Sequence, residues 1–192
     1  ITVNGKEYLD EALAKKRGVI LVTGHFGVWE IMLAWFGLNR YSMLAVGQKQ
    51  KNSGADIFVN QLRENAWIKM IPRKSSLEFM YEALASNRIL TLASDQDAKK
   101  RGIFVKFFSL PASTPKGAAR FHLECGSPLI FVTCHLEKPN NHVLDILPVP
   151  ADSNSNIETI TQSFTLMLEK IITAYPEQYF WFHRRWKTKQ PQ

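Results

Sequence analysis

Two residues in the segment TGHFGVWE, His25 and Glu30, are of the types that move protons near neutral pH. His25 follows VILVT (residues 19–23), an unbroken apolar run, and lies between Gly24 and Gly27. Such a run reads as a strand buried on both faces, and the flanking glycines give the backbone freedom to turn sharply around His25. VWEIMLAWFG (28–37) then reads as a short, mostly buried helix that carries Glu30 in its first turn and stops at Gly37. Five positions do not share one face of a helix, but a His on the turn and a Glu in the first helical turn can meet. A carboxylate on one imidazole nitrogen fixes the tautomer and leaves the other nitrogen to accept a proton. The pair therefore has the chemistry of a general base. It also fits a plainer role, His25 capping a strand and Glu30 a solvated acid suited to the helix dipole. H-x4-E alone does not choose between them. No Ser or Cys occupies a G-x-S-x-G nucleophile turn, and one His plus one Glu is too small a set for a metal.

The elements that must position these residues alternate along the chain. KEYLDEALAKKRG reads as a helix stopped by Gly18, and YSMLAV, IKMI, ILTLAS and PLIFVTCHL repeat the strand signal of VILVT. Between them lie helical stretches ADIFVNQLREN, SSLEFMYEALASN and TPKGAARFHLEC. Ser75 and Glu78 have capping-box spacing, and Thr114 before Pro115 reads as an N-cap followed by Pro at the first helical position. Alternating strands and helices imply an α/β fold with a mixed, largely parallel sheet flanked by helices, because parallel neighbours need crossover helices. FVKFF and HVLDILPV break the alternation and read as antiparallel edges of that sheet. NIETITQSFTLMLEKIITAYP is the longest helix, with Ile157, Ile160, Phe164, Leu168 and Ile171 as its apolar stripe and Pro176 as its end. In open α/β sheets, sites gather at the carboxyl ends of strands, which is where His25 falls.

At 192 residues and 45% hydrophobic, the chain can bury one substantial core, and no linker or repeat divides it, so a single domain over 1–192 is expected. Twenty-four basic against 17 acidic residues, net +7, suit an acidic partner: nucleic acid, anionic lipid head groups or an acidic carrier protein. No groove-reading motif accompanies the charge, which disfavours nucleic acid. Cys125 and Cys134 sit in apolar surroundings without metal-type spacing and read as free core thiols. No apolar run is long enough to span a bilayer, and the first residues lack the order of a signal peptide.

TGHFGVWE is followed in order by IPRK, ASDQD, GIFVKFFSLPASTPKGAAR, GSPLIFV and PEQYFWFHRRWK. This ordered set, over residues 18–188, resembles the bacterial lipid A biosynthesis acyltransferases, the late lauroyl and myristoyl transferases of the lysophospholipid acyltransferase superfamily. The resemblance implies a glycerophosphate-acyltransferase-like fold and transfer of a fatty acyl group from a thioester, carried by acyl carrier protein, to a hydroxyl of a lipid A precursor. It implies no cofactor or metal. It also implies an N-terminal membrane anchor ahead of the first residue here, Ile1, and work at the cytoplasmic face of an inner membrane with an anionic surface.

Carried over by resemblance, His25 is the general base and Glu30 its orienting acid. Arg73 in IPRK holds the acceptor's phosphate, and Asp95-Gln96 is the DQ pair at the rim of the site. Lys49 and Asn52 lie in GQKQKNSGAD, where Gln48 stands in the apparent position of a family arginine. Lys106-Phe107-Phe108-Ser109 replaces the PFFG of many relatives, and the EGTR block of glycerophosphate acyltransferases is missing. These departures leave the acceptor open: another bacterial lipid, such as a phosphatidylinositol mannoside or an aminolipid, is the alternative within the same chemistry. A non-catalytic lipid- or carrier-binding domain is the alternative outside it. Each residue also has a structural reading. Arg73 fits a solvated strand end, Asp95 to Asp97 a polar turn, and FHRRW a terminus that covers the sheet with its aromatics while its arginines stay wet.

Overall fold

The computed structural model describes residues 1–47, 52–66, 68–72 and 77–191. The strands are β1 (Thr2–Asn4), β2 (Val19–Thr23), β3 (Met43–Gly47), β4 (Lys69–Pro72), β5 (Ile89–Ala93), β6 (Ile103–Phe107), β7 (Leu110–Thr114), β8 (Leu129–Lys138) and β9 (Asn141–Pro148). The helices are α1 (Lys6–Ala14), α2 (Trp29–Leu38), α3 (Ser53–Asn65), α4 (Leu77–Ala85), α5 (Gly117–Cys125) and α6 (Ile157–Ala174). Seven strands form one sheet in the order β1-β9-β8-β2-β5-β3-β4. Every neighbouring pair is parallel except β8 with β9.

The unbroken apolar strands are buried on both faces, as their composition requires. Ile20, Val22, Leu44 and Leu90 join α4, α5 and α6 in one core. Val19, Leu21, Met43 and Ile89 join α1 and α2 in the other. Alternate side chains of each strand thus feed opposite layers, giving a helix–sheet–helix sandwich.

Several sequence expectations are corrected. HVLDILPV is not an edge, because the short β1 adds outside β9 in parallel register; three residues with one half-buried side chain leave little pattern to read. FVKFF does not join the main sheet, but pairs antiparallel with β7 as a separate hairpin packed on α6. Thr114 ends β7 rather than capping α5, since its hydroxyl donates to the Ala112 carbonyl and accepts from Arg185. Gly37 lies inside α2 rather than ending it: a Cβ there would stand 1.7 Å from the Ala66 carbonyl oxygen, so the glycine lets α2 press against the end of α3. The Ser75 cap lies outside the described residues.

The chain leaves β2 through a turn with a strict glycine requirement. Gly27 has φ +59°, and a Cβ on it would lie 2.0 Å from the Cys134 carbonyl oxygen. The Gly27 amide donates to the Gln178 carbonyl and the Val28 amide to that of Cys134, each at 2.8 Å. The middle of β8 and the C-terminal segment therefore clamp the turn that carries His25. Gly27→Ala must open this clamp, and is expected to lower unfolding free energy by roughly 2 kcal/mol or more, measured by urea denaturation.

Candidate active site

β2 and β5 run side by side in a register that pairs Val19 with Ile89 and Thr23 with Ala93. The register continues past both strands. The Ser94 amide donates to the Thr23 carbonyl at 2.8 Å, and two residues beyond each strand end His25 faces Asp95, with Nδ1 to Oδ1 at 2.8 Å. Asp95 is 2% exposed, whereas the His25 side chain keeps 30% of its surface open. An ionised carboxylate only accepts hydrogen bonds, so the proton of neutral His25 lies on Nδ1 and Nε2 is left as the base. Burial pulls the imidazole down; the Asp95 hydrogen bond and charge outweigh it, so that His25 is raised above its ordinary value.

Glu30 does begin α2, one turn after His25, but its carboxylate is taken elsewhere. Arg63 of α3 donates to it through Nε at 3.0 Å and through Nη2 at 2.5 Å. The partner on His25 Nδ1 is thus Asp95, 70 residues away, in place of the neighbouring Glu30. Glu30 nevertheless shares a cavity with His25, while Asp95 is buried behind it. His25, Glu30, Arg63, Asn52 and Gln96 line a cavity of about 760 Å³, and apolar side chains including Met32, Leu33, Val59 and Met70 form much of its remaining wall. Trp29 meets the His25 ring edge-on at 5.4 Å, and Phe180 lies 6.2 Å from it. A second cavity of about 240 Å³, bounded by Ser94, Pro115 and Gly117, also opens on His25 and Gln96.

Asn52 commits its side-chain oxygen to the Ala55 amide as the N-cap of α3, at 3.0 Å. Arg73 and Lys49 lie outside the described residues. Cys134 is buried, and burial followed by the Asp145 charge pushes its thiol up to about 11, so it is no nucleophile at neutral pH. Among the described residues no cluster of His, Cys, Asp or Glu could hold a metal ion. Arg63, Trp29 and Phe180 were not singled out from the sequence. Arg63 is the one basic residue of the amphipathic α3, and nothing in its local pattern records that Glu30 lies within its reach.

The model of the family described as bacterial lipid A biosynthesis acyltransferase matches residues 1–188. The chain belongs to that family. Among its relatives, it is 29% identical over 97% of its length to the lipid A biosynthesis lauroyltransferase of Escherichia coli, covering 62% of that protein. It is 28% identical to the palmitoleoyltransferase of the same organism, over 97% of this chain and 61% of that one. It is 24% identical to the phosphatidylinositol mannoside acyltransferase of Mycobacterium tuberculosis, over 96% of this chain and 59% of that one. The chain thus spans about three fifths of the length of these curated relatives.

The dyad makes a titration prediction. With Asp95 present, His25 titrates above the ordinary value near 6.5. Asp95→Asn removes both influences that raise it and leaves burial, which lowers it. In the variant, His25 is expected to titrate below 6.5 when followed by NMR of its imidazole.

Proposed function

We propose that the chain is an O-acyltransferase domain that moves a fatty acyl group from a thioester to a lipid hydroxyl. The observation that carries this reading is the His25–Asp95 dyad, with Nε2 free at the meeting of two cavities. An alkyl hydroxyl is a weak nucleophile at neutral pH, so a positioned base is the minimum requirement. As the acceptor oxygen attacks the thioester carbonyl carbon, its proton passes to His25 Nε2 and Asp95 balances the resulting imidazolium. Collapse of the tetrahedral intermediate breaks the carbon–sulfur bond. The imidazolium then returns the proton to the departing thiolate, leaving ester and thiol. No covalent acyl-enzyme is required.

The larger cavity, with its apolar wall, suits the acyl chain. Glu30 and Arg63 form a fixed ion pair at that wall and act as a unit on substrate rather than through His25, while Gln96 borders both substrates. Arg73, Lys49 and Asn52 are assigned to the acceptor's polar head. The E. coli relatives named for lipid A biosynthesis favour a lipid A precursor as acceptor, and acyl carrier protein suits a chain of net charge +7 as donor. The similarly extensive match to the mannoside acyltransferase favours, as a second reading, a phosphatidylinositol mannoside.

The test is acyl transfer by the full protein from labelled thioesters, with both acceptors offered and the product identified by mass. His25→Ala is expected to lower turnover 10²–10⁴-fold, the usual range for loss of a positioned acid–base group; full activity in that variant would reject the dyad. In double-mutant cycles, His25 with Asp95 and Glu30 with Arg63 should each be non-additive, while His25 with Glu30 should be additive. Strong coupling between His25 and Glu30 would restore Glu30 as the orienting acid.

We infer also that the protein meets an anionic membrane at this face, from the side exposed to the cytoplasm. Among the described residues no helix is long and apolar enough to cross a membrane. Phe182 is 91% exposed and Trp181 47%, next to exposed Arg184 and Lys187, a combination of aromatic and basic groups suited to an interface. Binding to anionic vesicles is expected to weaken as salt rises, because screening shortens from about 8 Å at physiological ionic strength. Co-sedimentation from low to high salt checks this, and salt-insensitive binding would point to apolar insertion alone.

A further inference from the structure

The C-terminal HRRW segment departs from an amphipathic cover with wet arginines. Phe182 faces solvent, while Arg185 is 2% exposed. Its Nη1 donates to the Ser113 carbonyl at 2.8 Å, its Nη2 to the Thr114 hydroxyl at 2.5 Å, and its guanidinium carbon lies 5.1 Å from the centre of the Phe107 ring. Its buried Nε has no hydrogen-bond partner. Among the described residues no carboxylate stands within ion-pair distance of it. A cation in this position carries a desolvation cost that two neutral acceptors offset only in part.

Burial above all lowers Arg185, and Tyr179, then Asp95 and Asp97 on the loop after β5, act against it. The same loop is pinned to the segment that carries Arg185. The Asp97 amide donates to His183 Nε2 at 2.8 Å, and the Thr188 hydroxyl donates to Asp97 Oδ2 at 2.9 Å. His183 stands in the field of Asp95, Asp97, Arg185 and His25 as well, and burial above all lowers it, so it is neutral at pH 7. The cluster at the back of the dyad therefore holds the buried Asp95, Arg185 and Tyr179 with the half-buried Asp97 and a neutral, half-buried His183.

We infer that Arg185 is a positioning residue for the reaction, the buried positive charge that keeps the His25–Asp95 dyad in its base-competent protonation state. The proposal rests on the dyad reading of the site. Its sign does not depend on which member of the dyad takes the extra proton. A nearby cation disfavours protonation of the pair as a whole, whether the proton resides on His25 or on Asp95. Removing that cation must raise the pH at which the pair loses the proton. At neutral pH a larger share of the enzyme would then lack a free base.

The experiment uses Arg185→Gln and Arg185→Lys in the full protein, with folding followed by thermal melting. NMR titration of the His25 imidazole, assigned with His25→Ala, is paired with the pH profile of acyl transfer. Arg185→Gln is expected to move the His25 titration and the acidic limb of the profile upward together by roughly one pH unit. Arg185→Lys should leave both near the wild-type position even if kcat falls, because the charge is retained. If Arg185→Gln does not fold, Arg185→Lys carries the test alone, and a titration displaced by a full unit despite the retained charge would overturn the proposal. A loss of kcat in Arg185→Gln at every pH, with no movement of either midpoint, would make Arg185 purely structural and also overturn it. The imidazole titration needs no turnover. A displaced titration in a protein whose His25→Ala variant is fully active would instead uphold the charge coupling and reject the catalytic reading of His25.

Discussion

The parallel pairing of β2 with β5 is the constraint on which the site depends. Its hydrogen bonds run on past the strand ends through the Ser94 amide and Thr23 carbonyl, and this fixes His25 against Asp95. A shift of one residue would reverse which side chains meet each face of the sheet. The register is held because both faces of β2 are committed: Ile20 and Val22 to the core under α4, α5 and α6, Val19 and Leu21 to the core under α1 and α2. Two-sided burial is thus what makes the dyad geometry rigid. It also accounts for the central place of these strands in a sheet whose reversed strands lie toward one edge.

Around that pairing, long-range contacts divide the work. The C-terminal segment closes over the His25 turn: Phe26 bridges Tyr179, the Phe180 amide donates to the His25 carbonyl at 3.0 Å, and Gln178 receives the Gly27 amide. The same segment then dips beneath the loop after β5 and buries Arg185. On the other side, the close approach of α2 to α3 at Gly37 brings Arg63 to Glu30. Two carboxylates near one histidine are therefore separated in function by what lies behind them. Asp95 is buried against the sheet and has the imidazole for partner, whereas Glu30, 47% exposed at the side chain, answers to an arginine across the cavity.

On the proposed reading, the base must be wet enough to receive a hydroxyl while its surroundings stay dry enough to hold an acyl chain. His25 is only partly exposed, and Trp29 and Phe180 cover the ring from two directions. Burial alone would depress the imidazole and weaken it as a base; the carboxylate at Nδ1 restores it. The basicity of His25 is thus set by burial on one side and the Asp95 carboxylate on the other.

Local order determined much of this protein. The α/β class, the buried strands and the helices between them followed from apolar runs and their spacing, and the position of His25 at a strand's carboxyl end followed from VILVT running into Gly-His. The ordered motifs in turn carried the family. What the sequence did not reveal was partnership across the sheet. Glu30 is five residues from His25 and Asp95 is 70 away, yet strand register makes the distant acid the partner. Spacing along one element is fixed by its own geometry, whereas neighbours on adjacent strands are set by topology, which no local pattern records. The fate of Arg185 was hidden for the same reason. In HRRW it is indistinguishable from Arg184, and only the course of the chain beneath the loop after β5 buries one of the pair and leaves the other exposed.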